Sequence, residues 1–280
     1  MPVDIDAAVT ANRRLSADYN ILAFDAPEIA AAARPGQFVM IKTSGGQDPL
    51  LRRPFSIFEI LRDADGRPTG VSIFNKRIGL GTTLLSSVEP GTRLPVLGPL
   101  GRPFEPIDPP AEAWMIAGGV GLAPFITLAS ALAARGTRAT LFYGARRADE
   151  LHCVDLFESL GVTIVLATED GSRGVHGRVT VPLGSALSAR PLGSPVKLFV
   201  CGPTPMMRAC ANLAAAHGRA CDVSLEQVMG CGLGGCYSCV VLARPSTELA
   251  SEAAKPHHTR TCVDGPVFDS TRIMWETLES

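Results

Sequence analysis

The chain has 280 residues, 46% apolar and 19% charged side chains, and a formal net charge of −1. That length suits roughly two domains, or three if one small unit is held by a metal, and the composition is that of a globular protein able to bury a core. A net charge so near zero gives nucleic acid or an anionic membrane no electrostatic reason to bind, so neither is expected as a partner. The amino terminus, MPVDIDAAVTANRR, places two acids where a secretion signal has bases and has no apolar segment behind them, which predicts a cytoplasmic protein.

Short β-rich runs at 19–24, 37–42, 55–61 and 71–75 are separated by the turn signals Arg34-Pro35-Gly36, Asp63-Ala64-Asp65-Gly66 and Glu89-Pro90-Gly91. Strands of this spacing predict a small antiparallel barrel. Within it, Arg53-Pro54-Phe55-Ser56 opens a strand. A fixed Arg can pair bidentately with a pyrophosphate, and a neighbouring Ser can hydrogen-bond a flavin ring. Further on, Phe74-Asn75-Lys76-Arg77-Ile78-Gly79-Leu80-Gly81-Thr82 offers bases followed by a Gly-rich turn into a helix-like segment. Such a turn binds phosphate through backbone N–H groups. The pair of motifs marks Arg53, Pro54, Phe55, Ser56, Phe74, Asn75, Lys76, Gly81 and Thr82 as candidate cofactor contacts. The Pro-rich stretch 103–110 reads as a linker.

Residues 113–134 carry no charge and are long enough to span a bilayer. Gly118, Gly119, Gly121 and Pro124 interrupt them, so the better reading is a buried strand, a tight loop and a helix. Strand candidates at 114–117, 139–143, 162–167 and 196–201 alternate with helix candidates at 122–134, 179–189 and 205–217. This alternation predicts a parallel sheet with helices on both faces. The first strand ends in Ala117-Gly118-Gly119-Val120-Gly121-Leu122-Ala123-Pro124. That is not the G-x-G-x-x-G fingerprint, yet its glycines would equally let the backbone approach a dinucleotide at the carboxyl edge of the sheet. Cys201-Gly202-Pro203 ends a later strand at the same edge. Gly118, Gly119, Gly121, Cys201, Gly202 and Pro203 are therefore candidate nucleotide contacts, with a plain buried thiol as the alternative for Cys201.

Of eight cysteines, Cys153, Cys201, Cys210 and Cys221 are scattered through apolar segments and read as small buried hydrophobes. The other four form Cys231-x4-Cys236-x2-Cys239, followed by Cys262 after 22 residues. This spacing matches plant-type [2Fe-2S] ligation. Gly230, Gly232, Gly234 and Gly235 crowd the loop, as close wrapping around a cluster requires. The competing reading is structural zinc, which also uses a C-x2-C pair. Only one such pair is present, and the adjacent His257 and His258 read as a solvated turn.

The order of these motifs, with Tyr143-Gly144-Ala145-Arg146 and Cys201–Met207 in sequence, resembles the ferredoxin–NADP reductase superfamily. The segments 50–57, 98–104, 168–177 and 262–268, together with Ser224-Leu225-Glu226 ahead of the cysteines, are similar to the electron-transfer subunit of the NAD-linked, two-subunit dihydroorotate dehydrogenases. The resemblance implies a β plus α/β fold in three parts: an antiparallel FAD-binding β-barrel at 1–104, a parallel-sheet NAD-binding domain at 105–222 and a small [2Fe-2S] domain at 223–280. It implies an oxidoreductase subunit that carries electrons from the FMN of a catalytic subunit through [2Fe-2S] and FAD to NAD+, in a heterotetramer with two of each subunit. Cys231, Cys236, Cys239 and Cys262 would ligate the metal. An FMN barrel needs ~250 residues, which this chain does not have to spare, so dihydroorotate oxidation is expected to need the partner. The alternative is the same module serving a sulfide dehydrogenase, a hydrogenase or a ferredoxin:NADP+ transhydrogenase. The reading leans to NAD: Glu169 or Asp170 could hold a free ribose, whereas Arg146, Arg147 and Arg173 could pair with a 2′-phosphate. An Ala/Ser/Pro-rich insertion before Cys262 is expected to form an exposed hairpin.

Overall fold

A computed structural model describes residues 1–44, 46, 48–191, 193–245 and 255–278. The first elements are β1 (Val3–Arg14), β2 (Tyr19–Asp25), α1 (Pro27–Ala32), β3 (Phe38–Ile41), β4 (Arg53–Arg62), β5 (Pro68–Lys76), α2 (Leu80–Ser86) and β6 (Arg93–Leu100). The strands close into a barrel in the order β1-β2-β5-β4-β3-β6, with every neighbouring pair antiparallel. Inward residues such as Leu22, Phe24, Val39, Ile57, Val71, Ile73 and Val96 fill it, and Leu85 of α2 plugs one end. The barrel has two strands beyond the four expected. In β1 only Ala7 and Val9 are buried, and β6 is interrupted by Pro95, Gly98 and Pro99.

The second unit holds β7 (Glu112–Gly118), α3 (Phe125–Ala134), β8 (Ala139–Ala145), α4 (Val154–Glu158), β9 (Thr163–Thr168), β10 (Val175–His176), α5 (Thr180–Ala189), β11 (Val196–Cys201), α6 (Thr204–Ala216) and β12 (Ala220–Ser224). A hairpin of β13 (Val240–Ala243) and β14 (His257–Arg260) follows, then β15 (Val267–Asp269). The sheet runs β10-β9-β8-β7-β11-β12-β15. It is parallel except where β15 lies antiparallel to β12. The C-terminal segment thus supplies the last strand of the nucleotide sheet. Residues 246–254, the tip of the expected hairpin, lie outside the described residues.

All seven residues of β7 are buried, as a central strand with both faces covered should be. Its odd-numbered residues Ala113, Met115 and Ala117 share a core with α3, α4 and the barrel residues Tyr19, Ile21, Phe58 and Phe74. Its even-numbered residues Trp114 and Ile116 face α5, α6 and Phe268 and Ile273 of the C-terminal segment. The stretch 103–110 is more than a spacer. Phe104 is fully buried, 5.7 Å from Phe125 and 5.5 Å from Phe199 between ring centroids, and its N–H donates to the Pro35 carbonyl in the barrel. The uncharged run 113–134 becomes β7, one 3-10 turn and α3. Among the described residues, no helix is long and apolar enough to cross a membrane.

Candidate functional site

In the cysteine loop, the pairing Val240↔Arg260 at the base of the hairpin brings Cys239 beside Thr261, whose N–H and hydroxyl both donate to the Cys239 carbonyl at 3.1 Å. Cys262 follows at once, so Cys239 and Cys262 come together although 22 residues separate them in sequence. The thiols stand as two pairs. Cys239 and Cys262 share one buried cluster with Phe38, Met40, Leu97 and Leu100 of β3 and β6. Cys231 and Cys236 lie nearer the surface, Cys231 half-buried and Cys236 exposed. Two sulfur pairs suit a two-iron cluster, which takes two thiolates at each iron. Among the described residues, no three Cys, His, Asp or Glu side chains converge on one point as a single ion would need. His257 and His258 are exposed on a strand, β14, and not in a turn.

Other residues pin this loop in ways the cysteine spacing does not reveal. The Leu233 N–H donates to Cys231 Sγ at 3.3 Å. Ser238 Oγ lies 3.2 Å from Cys236 Sγ, and with the neighbouring Cys231 it holds the Cys236 thiol down at about 6. The Arg260 N–H donates to the Asp264 carboxylate at 3.0 Å, and its guanidinium lies 5.9 Å over the Tyr237 ring. Gly232, at φ 74°, presses so closely on the barrel that a Cβ there would run into Met40. Around the outer pair, Val228, Leu233, Tyr237 and Val263 are exposed.

On the barrel, Arg53 begins β4 opposite Ile41 of β3. Its Nη1 donates to the Leu51 carbonyl at 2.9 Å and the Arg52 carbonyl at 3.3 Å, which holds the guanidinium by its edge. Arg52, its neighbour, is already engaged by Asp4 through two bonds of 2.9 Å. Gly81 lies against both Arg53 and Thr43; a Cβ there would meet Thr43 Oγ1 at 3.2 Å and Arg53 Cγ at 3.4 Å. Thr43 Oγ1 is buried with no partner among the described residues. Sequence reasoning passed over Thr43, which carries no motif. Thr82 Oγ1 accepts from the N–H groups of Ile78 and Gly79 at 2.9 and 3.1 Å. The first-turn N–H groups of α2 have no partner within the helix. Phe74 and Asn75, expected as contacts, are both buried. Phe74 stacks with Tyr19 and Phe58. The Asn75 amide donates to Asn20 Oδ1 at 2.8 Å and the Thr82 carbonyl at 3.0 Å, and Asn20 in turn donates to Asn12. This ladder ties α2 to three strands.

The third locus is a cavity of about 440 Å³ at the carboxyl edge of the sheet. The strand order reverses between β7 and β11, and open α/β sheets bind ligands at such a switch point. Both expected motifs flank it. A Cβ on Gly121 would overlap the Cys201 carbonyl, and one on Gly202 would reach Met206 and Gly118, so glycine is what allows the two loops to meet. Gly118, Gly119, Arg146, Glu169, Pro203 and Glu226 are among the walls, and Tyr19 and Lys76 reach in from the barrel. Lys76 therefore faces this cavity, its ammonium 5.1 Å over the Tyr19 ring. Desolvation raises the Glu226 carboxyl above its ordinary value. Cys201 is buried and its thiol is pushed well up by desolvation, so its backbone shapes the cavity. Cys210 and Cys221 are buried as expected; Cys153 is only half-buried and adopts φ 59°. Arg147 is paired with Asp149, and the Asp170 carboxylate caps Ser172; of the two acids expected near a ribose, Glu169 is the one that lines the cavity.

A family model described as the iron–sulfur cluster binding domain of dihydroorotate dehydrogenase B matches residues 226–274, and the oxidoreductase NAD-binding domain matches 115–212. The curated dihydroorotate dehydrogenase B (NAD(+)) electron transfer subunit of Desulforamulus reducens is 36% identical over 97% of this chain and 98% of its own length. That of Geobacillus kaustophilus is 37% identical over 86% and 87%. Among solved structures, the NADH-dependent reduced ferredoxin-NADP oxidoreductase described for flavin-based electron bifurcation aligns with a TM-score of 0.81 at 29% identity, covering 97% of this chain and 91% of that one. A ferredoxin NADP+ reductase from Neisseria gonorrhoeae with bound FAD and NADP shares the fold alone, with a TM-score of 0.64 at 17% identity over 77% and 92% of the two chains. The chain belongs to the family of electron transfer subunits of dihydroorotate dehydrogenase B (NAD(+)).

Proposed function

We propose that this chain is the electron-transfer subunit of an NAD-linked dihydroorotate dehydrogenase, carrying electrons from the FMN of a catalytic subunit through [2Fe-2S] and FAD to NAD+ in pyrimidine biosynthesis. One observation carries the reading. The short strand β3 packs against the Cys239–Cys262 pair through Phe38 and Met40, and the same residues pair with Ser56 and Pro54 of β4. The cysteine loop and the Arg53 motif are thus separated by a single strand.

Nicotinamide exchanges a hydride and an iron–sulfur cluster single electrons, while a flavin can do both. The residues present fit these groups: two thiol pairs in a glycine cradle, and an orphaned Thr43 hydroxyl beside Arg53 and Gly81. In this reading Cys231, Cys236, Cys239 and Cys262 ligate iron. Arg53 and the first turn of α2, with Gly81 and Thr82, would hold the flavin pyrophosphate, and Ser56 would hydrogen-bond its ring. Gly118, Gly119, Gly121, Gly202 and Pro203 admit the dinucleotide, whose free ribose Glu169 accepts. The exposed rim of Val228, Leu233, Tyr237 and Val263 is the docking face for the FMN subunit, in a complex of two copies of each. All eight cysteines are free, as suits a protein of the reducing cytoplasm.

The aligned ferredoxin-NADP oxidoreductase favours a second reading, the same module on another partner. Reconstitution separates the two. The isolated holoprotein is expected to reduce dyes with NADH but not to oxidise dihydroorotate, and adding the FMN subunit should confer dihydroorotate:NAD+ activity. Cys239→Ser should abolish that coupled activity while dye reduction survives. A properly assembled complex without dihydroorotate activity would leave the second reading standing.

A further inference from the structure

The outer sulfur pair has a neighbour that ligation does not require. Ser238 Oγ accepts the Gly230 N–H at 2.9 Å, lies 3.2 Å from Cys236 Sγ and is 3.5 Å from the Val228 carbonyl. A hydroxyl has one hydrogen to give. A Cys236 thiolate has none, so between these two Ser238 must be the donor, and a bond to a charged acceptor outcompetes a long one to a carbonyl. The Gly230 N–H polarises the hydroxyl further in the same direction. Gly230 makes this approach possible, since a Cβ there would stand 3.1 Å from Cys236 Sγ and 3.3 Å from Ser238 Oγ. Tyr237, just before Ser238, holds φ 59°, a conformation that bulky residues keep only where their surroundings impose it.

We propose that the Ser238 hydroxyl raises the reduction potential of the cluster by donating a hydrogen bond to the Cys236 sulfur. This deepens the reading above and rests on the four thiols being its ligands. Reduction adds one electron to the cluster, breaks no bond and leaves the hydroxyl proton on oxygen. The added charge falls partly on the sulfurs, so a donor aimed at one of them stabilises the reduced form more than the oxidised form. Ser238 is on this account a positioning and tuning residue.

The test is a redox titration of the holoprotein with dithionite and mediators, followed by the electron paramagnetic resonance of the reduced cluster. In Ser238→Ala the ratio of reduced to oxidised cluster at a fixed potential should fall roughly three- to tenfold, a downward shift of at most ~59 mV for one electron. Ser238→Thr should restore the parent value, and FAD content should not change in either. A purely structural role would lower iron content without moving the potential of the clusters that remain. An iron-replete Ser238→Ala protein with the parent potential overturns the proposal. If that variant cannot hold its cluster, Ser238→Gly takes its place. Loss of iron from both, with retention in Ser238→Thr, would make the hydroxyl an assembly element and equally overturn the tuning role. A parent protein without iron would remove the ligand assignment itself, and this one with it.

Discussion

Arg53→Ala is the sharpest test of the barrel site. Among the described residues no carboxylate lies within ion-pair distance of Arg53, whereas Arg52 beside it is occupied by Asp4 at 2.9 Å. The Arg53 guanidinium is also pre-positioned by the Leu51 carbonyl, so little side-chain freedom remains to be lost when an anion binds. A charge-assisted contact of this kind contributes ~1.5–3 kcal/mol, and each ~1.4 kcal/mol is tenfold in affinity. Arg53→Ala should therefore weaken FAD binding by about one to two decades. The assay is titration of the deflavinated protein with FAD, followed by quenching of flavin fluorescence at constant ionic strength. Arg52→Ala and Arg146→Ala are the controls: the first loses a surface ion pair and the second a residue of the nucleotide cavity. Equal FAD affinity in all three variants would refute the assignment of the phosphate site to residues 53–56.

Two further outcomes follow from the geometry. Gly121→Ala pushes a methyl group into the Cys201 carbonyl, and overpacking of this kind costs about 1–3 kcal/mol. The KM for NADH should rise about tenfold or more while FAD content stays near the parent, and an unchanged KM would show that the two loops do not form the nucleotide floor. His152 packs 4.6 Å from the Tyr19 ring where barrel and sheet meet, and desolvation lowers its pKa. The unfolded chain then binds the proton more readily, so this contribution to stability is present above the unfolded value of ~6.5 and is lost as pH falls through the lower folded value. His152→Phe should flatten the decline in urea midpoint between about pH 7 and about pH 5, and a slope identical to the parent's would refute it.

The cysteine loop was the most legible part of the sequence, because ligation demands one residue type at fixed spacing and the glycines beside it betray close wrapping. The parallel sheet was nearly as clear: β11 has the expected bounds, and β7, β8 and β9 differ by one or two residues at one or both ends. Strand β1 was missed because its residues alternate polar with small, and only Ala7 and Val9 enter the core. Strand β6 was missed because Pro95, Gly98 and Pro99 imitate a loop. Contacts between distant segments leave no local trace. Nothing at Met40 announces that Gly232 will rest on it, and the orphaned Thr43 becomes visible only beside Gly81. The same limit holds at Phe74 and Asn75, whose burial depends on the strand pairing with Ile21 and Asn20.

The chain leaves the nucleotide sheet at Ser224, runs through the whole cysteine loop and its hairpin, and re-enters beside the strand it left, with Ser224 opposite Val267 and the Leu225 N–H on the Pro266 carbonyl. The loop is therefore tied at its neck by the sheet. Most of the entropy of gathering distant ligands is already spent when the sheet forms, and the thiols face one another at the high effective concentration of a short tether. A nick between β13 and β14 would leave one half held by β12 and the other by β15. If these thiols hold iron as proposed, its loss to oxidation would leave behind a closed, pre-gathered set, ready to be refilled without unfolding the chain that holds them.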